Sequence, residues 1–322
     1  MRALVVGMGR TGSSFDEVKE KNWVNTHLGA YKKSSAINGI AICDINQKAL
    51  DKAIEFWNIK NAYNNIENAL HEFSPKIVSL CVSADNILPL TKKLIKYSSI
   101  RFLWIEKPFS DSVENARKQI ELLRQHEIRF LTNYQRRFDH CYNYAKENLN
   151  ALIGSPQKCV CFFSGGIVNT ASHLVNLLLY FFGMPSIVKA LNIKKYETTG
   201  VGHGDFMLRF NECDAYAFEV NPSSSIITGA YSIFEVHLLG NKGKLIIKSM
   251  PMNVVDFDYY RASNSNFKGV KILKEEEVDI NKERFYMEQE LSTLIGRDNE
   301  TVGDNEGALE TLMILNKLGV MK

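Results

Sequence analysis

The segment Gly7-Met8-Gly9-Arg10-Thr11-Gly12 constrains this chain more than any other. It follows the apolar run Ala3-Leu4-Val5-Val6, and the next apolar run, Gly39-Ile40-Ala41-Ile42-Cys43, ends at Asp44. Glycines at this spacing after a strand allow a tight turn and a close approach of backbone to a pyrophosphate. They also allow a helix whose N-terminus faces the phosphates. An acid at the end of the second strand can accept hydrogen bonds from ribose hydroxyls and repels a 2′-phosphate, so NAD is expected over NADP. Arg10 pulls the other way, because a cation in the loop could help to hold a phosphate. Asp44 stands 32 residues after Gly12, where about 20 is usual. The excess falls at residues 13–26, expected to form a surface insertion. The sharper alternative is a flap over the cofactor with Trp23 as its apolar contact.

Residues 76–82, 101–105 and 129–131 read as further strands, and 47–56, 88–97 and 112–126 have helical periodicity. Strands alternating with helices of this length imply a parallel sheet with right-handed crossovers. After about residue 135 the pattern changes. Residues 168–182 read as one helix, followed by strands at 187–193, 205–210, 215–220, 232–239 and 244–248, with Gly240-Asn241-Lys242-Gly243 as a hairpin turn. Residues 283–294 and 306–318 look helical. The expected fold is α/β: a doubly wound domain over 1–130, then an α+β domain over 131–322 with a large, mainly antiparallel open sheet.

Glu106-Lys107-Pro108 follows the apolar run Phe102-Leu103-Trp104-Ile105. A lysine at the end of a buried strand is costly there unless it has a task. It is expected to point at the reactive end of the cofactor; the plain alternative is a strand-end ion pair. Asn169, His173 and Asn176 recur at i, i+4 and i+7 in an otherwise apolar helix preceded by Gly165-Gly166, and so would share one face. Such a stripe should line a polar cavity, with His173 as proton acceptor; the plain alternative is a satisfied core histidine. His203, in Gly202-His203-Gly204-Asp205, is a second candidate. His27 could belong to the first helix, and His237 alternates within a strand.

The net charge is +3, with Lys and Arg interleaved among acids, so nucleic-acid binding is not expected. No apolar run approaches a membrane span, and no leader is read at the start. The six cysteines form no CxxC pair, and Cys159-Val160-Cys161 is poor metal-ligand spacing. The expectation is a cytoplasmic protein with reduced thiols and no metal site.

These motifs, in this order, resemble the glucose–fructose oxidoreductase / inositol 2-dehydrogenase / MocA family over nearly the whole chain. The likeness rests also on Asn133-Tyr134-Gln135-Arg136-Arg137-Phe138-Asp139, on residues 165–183, and on Phe234-Glu235-Val236-His237-Leu238-Leu239-Gly240-Asn241-Lys242-Gly243. The resemblance implies a Rossmann domain, then a substrate-binding domain whose open sheet joins a homodimer or homotetramer. It implies NAD(P)-linked oxidation or reduction at a CH–OH group of a sugar, sugar nucleotide or cyclitol, bound between the domains. Gly7, Met8, Gly9, Arg10, Thr11, Gly12, Asp44, Val82, Ser83, Glu106 and Lys107 would contact the cofactor. Lys107 and His173 would hold the reacting hydroxyl, with Asn169 orienting it. Tyr134, Arg137 and Asn176 would face the substrate, although packing or a salt bridge is an equal reading for Tyr134 and Arg137. The chain departs from the family pattern at 169 and 176, where aspartates are usual and asparagines stand. Asparagine can position a partner but supplies no charge to an imidazolium. Cys81-Val82-Ser83-Ala84 also replaces the usual Thr-Pro after its strand. Two other readings follow: an NAD-binding sensor that has lost turnover, and a reductase of a non-sugar carbonyl or imine.

Overall fold

The structure, a computed structural model, describes residues 1–18, 24–195, 202–220, 233–249, 255–262, 272–273, 286–296 and 307–321. The chain divides into two compact units, Met1–Phe138 with Phe285–Leu312, and Asp139–Arg284 with Met313–Lys322.

The first unit opens with β1 (Arg2–Val6), α1 (His27–Lys33), β2 (Gly39–Cys43), α2 (Gln47–Trp57), β3 (Asn61–Tyr63) and α3 (Ile66–Asn68). It continues with β4 (Ile77–Leu80), α4 (Ala84–Leu94), β5 (Phe102–Ile105), α5 (Val113–Gln125) and β6 (Arg129–Thr132). The strands are all parallel, in the order β3-β2-β1-β4-β5-β6. Every residue of β4 and β5 is buried, as expected of strands covered on both faces. Polar side chains fix the helix starts: Asn46 accepts from Lys48 and Ala49 ahead of α2, and Ser112 from Asn115 ahead of α5. Helix α4 begins at Ala84, earlier than the expected residue 88, and carries Pro89 within it.

The second unit comprises α6 (His140–Glu147), α7 (Leu149–Ile153), β7 (Pro156–Phe163), α8 (Ser172–Phe182), β8 (Ile187–Ala190), β9 (Lys194–Lys195) and β10 (Gly202–His203). Then follow β11 (Phe206–Arg209), β12 (Asp214–Glu219), β13 (Phe234–Gly240), β14 (Gly243–Ser249), β15 (Val255–Ala262) and β16 (Ile272–Leu273). Eight strands form one sheet in the order β16-β15-β14-β13-β7-β12-β11-β8, antiparallel except for the parallel pair β7–β12. Strands β9 and β10 make a separate ribbon. Alternate residues of β7 (Cys159, Cys161, Phe163) and of β13 (Val236, Leu238) are buried in one cluster with Leu174, Val175, Leu177 and Leu178 of α8. The Cys159 and Cys161 thiols lie 3.4 Å apart on that face, unbridged.

Helix α9 (Tyr286–Gly296) returns to the first unit, where Met287, Leu291 and Leu294 are buried with Trp104. The Trp104 indole donates to Glu290 Oε2 at 3.0 Å. This return is why the compact units differ from a division at residues 130 and 131. Helix α10 (Ala308–Lys317) closes the element order. Among the described residues no helix is long and apolar enough to cross a membrane, and no cluster of His, Cys, Asp or Glu could hold a metal ion.

Candidate active site

The glycine loop leaves β1 where its neighbours β2 and β4 lie on opposite sides, the switch point at which doubly wound sheets hold ligands. Its three glycines have separate reasons. Gly7 has φ +97°, and a Cβ there would sit 2.2 Å from the Cys81 carbonyl oxygen; a Cβ on Gly12 would sit 1.9 Å from the Gly7 carbonyl oxygen. A Cβ on Gly9 would meet nothing within 4 Å. Gly7 and Gly12 are thus required by the chain's own packing, whereas Gly9 leaves open space for a phosphate to approach the backbone. Asp44 accepts from the Met8 N–H at 2.6 Å through Oδ2 and from the Asn46 N–H at 2.8 Å through Oδ1. Each carboxylate oxygen keeps a further lone pair for a ribose hydroxyl. The residues present therefore fit a dinucleotide. Val82 is half-buried beside Gly7, and exposed Ser83 precedes α4.

The long spacing to Asp44 has a specific cause. The His27 N–H donates to the Thr11 carbonyl at 3.0 Å and the Leu28 N–H to the Gly12 carbonyl at 3.1 Å. In an unbroken helix those carbonyls would bond to residues 15 and 16. The helix that starts in the glycine loop is therefore resumed at Thr26, and about twelve residues are looped out, which restores the usual spacing. The stem is polar and partly buried: Asp16 accepts from the Asn25 N–H at 2.9 Å and the Thr26 hydroxyl at 2.6 Å. It also rests on α2, through Trp57 Nε1 to Ser13 Oγ at 3.0 Å and Lys52 to Glu17 at 2.7 Å. Arg10 lies over the Phe15 ring at 4.7 Å. Trp23 is outside the described residues.

At the carboxyl ends of β4, β5 and β6 lies a buried polar network. His27, with no exposed surface, places Nδ1 2.9 Å from Ser79 Oγ and Nε2 3.0 Å from Glu106 Oε1, and its ring packs on Trp104 at 4.0 Å. The Tyr31 hydroxyl reaches Ser79 Oγ at 2.6 Å. Asn133 Nδ2 donates to Glu106 Oε1 at 2.5 Å, and the Lys107 N–H donates to Oε2 at 3.2 Å. Burial pushes the Glu106 carboxyl up, but His27, Asn133 and Lys107 together hold it below the usual carboxylate range. Lys107, half-buried, is lowered to about 8 by desolvation; Glu106 opposes that shift, and Arg136 and Arg10 reinforce it. The peptide between Lys107 and Pro108 is cis.

In the second unit, Gly165 (φ +99°) and Gly166 (φ +84°) lead into a π-helical turn, Ile167–Ala171, before α8. The expected single helix over 168–182 is thus two pieces. Asn169 lies in the π-helical turn, and His173 and Asn176 lie in α8. Asn169 is exposed, His173 half-buried and Asn176 only 1% exposed. A carboxylate nonetheless reaches this segment. Glu219, at the end of β12, accepts from the Gly166 N–H at 2.8 Å, the Gly204 N–H at 2.7 Å and His203 Nδ1 at 2.8 Å. Its side chain is 1% exposed. No motif in the sequence marks Glu219, and the same holds for the tie between His27 and Glu106. Tyr134 is also 1% exposed, with its hydroxyl bonded to Thr311 and pushed up by burial. Arg137 is half-buried in the turn Gln135–Phe138.

A parallel sheet with an open glycine loop at its switch point and an acid at the end of the next strand defines an NAD(P)-binding Rossmann domain. Residues 1–134 match the Gfo/Idh/MocA oxidoreductase family, NAD-binding Rossmann fold. Solved structures share the whole fold at low identity. A Desulfitobacterium hafniense protein described as an NADPH-dependent oxidoreductase is 16% identical with a TM-score of 0.78, over 98% of this chain and 93% of that one. The WlbA dehydrogenase of Bordetella pertussis, solved with NADH and UDP-GlcNAcA, is 16% identical with a TM-score of 0.71, over 99% and 95%. An Agrobacterium radiobacter oxidoreductase, solved with NAD+, L-tartaric acid and magnesium, is 13% identical with a TM-score of 0.69, over 98% and 94%. No curated protein matches the chain by sequence.

Proposed function

We propose that this protein moves a hydride between NAD and a carbinol or carbonyl carbon of a sugar, sugar nucleotide or cyclitol. The observation that carries the reading is Lys107: a cation at the end of β5, beside the glycine-loop switch point, with its pKa brought down to about 8. NAD, when bound, supplies the hydride acceptor for oxidation or the donor for reduction. At neutral pH Lys107 is an ammonium that donates to the reacting oxygen and stabilises an alkoxide as it develops. In oxidation His173 takes the hydroxyl proton; in reduction it returns one. Asn169 orients the hydroxyl and Arg137 faces the substrate. Arg10 and Arg136 make the surroundings of Lys107 electropositive, which suits an anionic substrate such as a sugar nucleotide. Asp44 favours NAD over NADP, with Val82 and Ser83 at the nicotinamide loop. A homodimer or homotetramer would form through the outer sheet face, where Phe218 and Leu239 are each 36% exposed.

The test is an NADH titration followed by a sugar and sugar-nucleotide panel. Lys107→Ala should cut turnover by roughly 10²–10³-fold. Reduction by the wild type should fall as pH rises through about 8, because the donor is then lost. NADPH binding tighter than NADH would overturn the role of Asp44. A second reading, a cofactor-binding sensor, is favoured by the uncharged residue at 169; tight NADH binding without turnover on any panel member would select it.

A further inference from the structure

We infer that His27 is a positioning residue for Lys107: it fixes the Glu106 carboxylate, and through it the turn and the counter-charge that present the lysine ammonium. The inference rests on the role proposed for Lys107, but not on any particular substrate.

The bond to the carboxylate has a forced direction, and a neutral imidazole then orders the rest. An ionised carboxylate only accepts, so His27 Nε2 must be the donor to Glu106 Oε1. Nδ1 can then accept from the Ser79 hydroxyl, whose oxygen accepts from Tyr31. The chain Tyr31, Ser79, His27, Glu106 thus runs one way, and it ends on the carboxylate whose other oxygen takes the Lys107 N–H. Burial makes this costly to disturb, since His27 is fully enclosed and Glu106 is 6% exposed. The same histidine's backbone N–H closes on the Thr11 carbonyl of the glycine loop. One residue therefore ties the loop that would hold the pyrophosphate to the turn that carries Lys107.

Charged and titratable groups among the described residues surround the pair. Lys107 faces Glu106, Arg136 and Arg10. Glu106 faces His27, Asn133 and Lys107, and its charge is felt by the Cys81 thiol and the Tyr134 hydroxyl. Among these groups Glu106 is the one anion that favours the ammonium. Loosening Glu106 must therefore move the Lys107 titration downward.

The measurement is trace acetylation of native, ligand-free protein with acetic anhydride across pH, with the peptide containing Lys107 quantified by mass spectrometry. Wild type should label with a midpoint near about 8. Glu106→Gln should lower that midpoint by about one pH unit and serves as the reference for a lost counter-charge. His27→Gln should move it in the same direction by a smaller amount. If His27→Gln leaves the midpoint at the wild-type value while Glu106→Gln shifts it, the inference is wrong. Should His27→Gln lose its near-UV circular dichroism, Ser79→Ala replaces it: this variant removes the donor to Nδ1, and an unmoved midpoint there is equally fatal. Because no substrate is present, a failed turnover panel counts against the proposed reaction and an unmoved midpoint counts against His27.

Discussion

Glu106 and Glu219 are the same device in two settings. Each is a buried carboxylate that meets a histidine and also holds the backbone N–H of a residue opening a candidate site segment: Lys107 in one unit, Gly166 in the other. The remaining donor differs. Glu106 takes the side-chain amide of Asn133, whereas Glu219 takes a second backbone N–H, from Gly204. The first clamp is built from side chains of α1, β5 and the segment after β6, beside a lysine with a shifted titration. It sets charge as well as position. The second is built mostly from glycine backbone and sets position alone.

That contrast predicts unequal costs. His27→Ala removes a buried donor from a carboxylate in a site closed to water, and should destabilise the protein by about 3 kcal/mol or more in urea unfolding. His203→Ala leaves Glu219 its two backbone N–H donors, and should cost about 1–2 kcal/mol. Equal losses, or the reverse order, would break the comparison. Gly204→Ala tests the geometric clamp directly. Gly204 has φ +130°, and a Cβ would lie 1.8 Å from the Asn192 carbonyl oxygen. A loss of about 1–3 kcal/mol is expected, with no change in NADH affinity. Gly9→Ala should do the opposite: nearly wild-type stability, because its Cβ meets nothing within the chain, and NADH affinity weaker by roughly tenfold, read by fluorescence titration. The smallest effect is expected at residue 169. Asn169→Asp should raise turnover by roughly tenfold or less if a carboxylate near His173 is all that is missing. A fall would give the amide a role of its own.

The parts of the site legible in the sequence are those whose residues are neighbours in it. Gly7 to Gly12, Asp44 and the turn at Lys107 each announce themselves through a strand and the residue type at its end. Strands β4 and β5 are visible because burial on both faces leaves runs such as Phe102-Leu103-Trp104-Ile105. The clamps are hidden because their members come from distant parts of the chain: 79 residues separate His27 from Glu106, and 53 separate Gly166 from Glu219. The π-helical turn is hidden for another reason. Apolar periodicity reports a helical segment, but not whether its first turn is α or π. Asn176 and Tyr134 show a third limit: the sequence does not report that both are only 1% exposed.

The looped-out segment between Gly12 and Thr26 behaves as a cassette. Its two ends meet across a single helical turn, so the hydrogen-bond register of α1 is already closed without it. Chain length at this point is decoupled from the geometry of the domain, and lengthening such a loop carries only a slowly rising entropic cost. A variant lacking residues 13–24 would join Gly12 to Asn25 and leave the Thr11–His27 bond to form as the ordinary contact of an uninterrupted helix. Chain length between Gly12 and Thr26 is thus separable from the register of the helix that it interrupts.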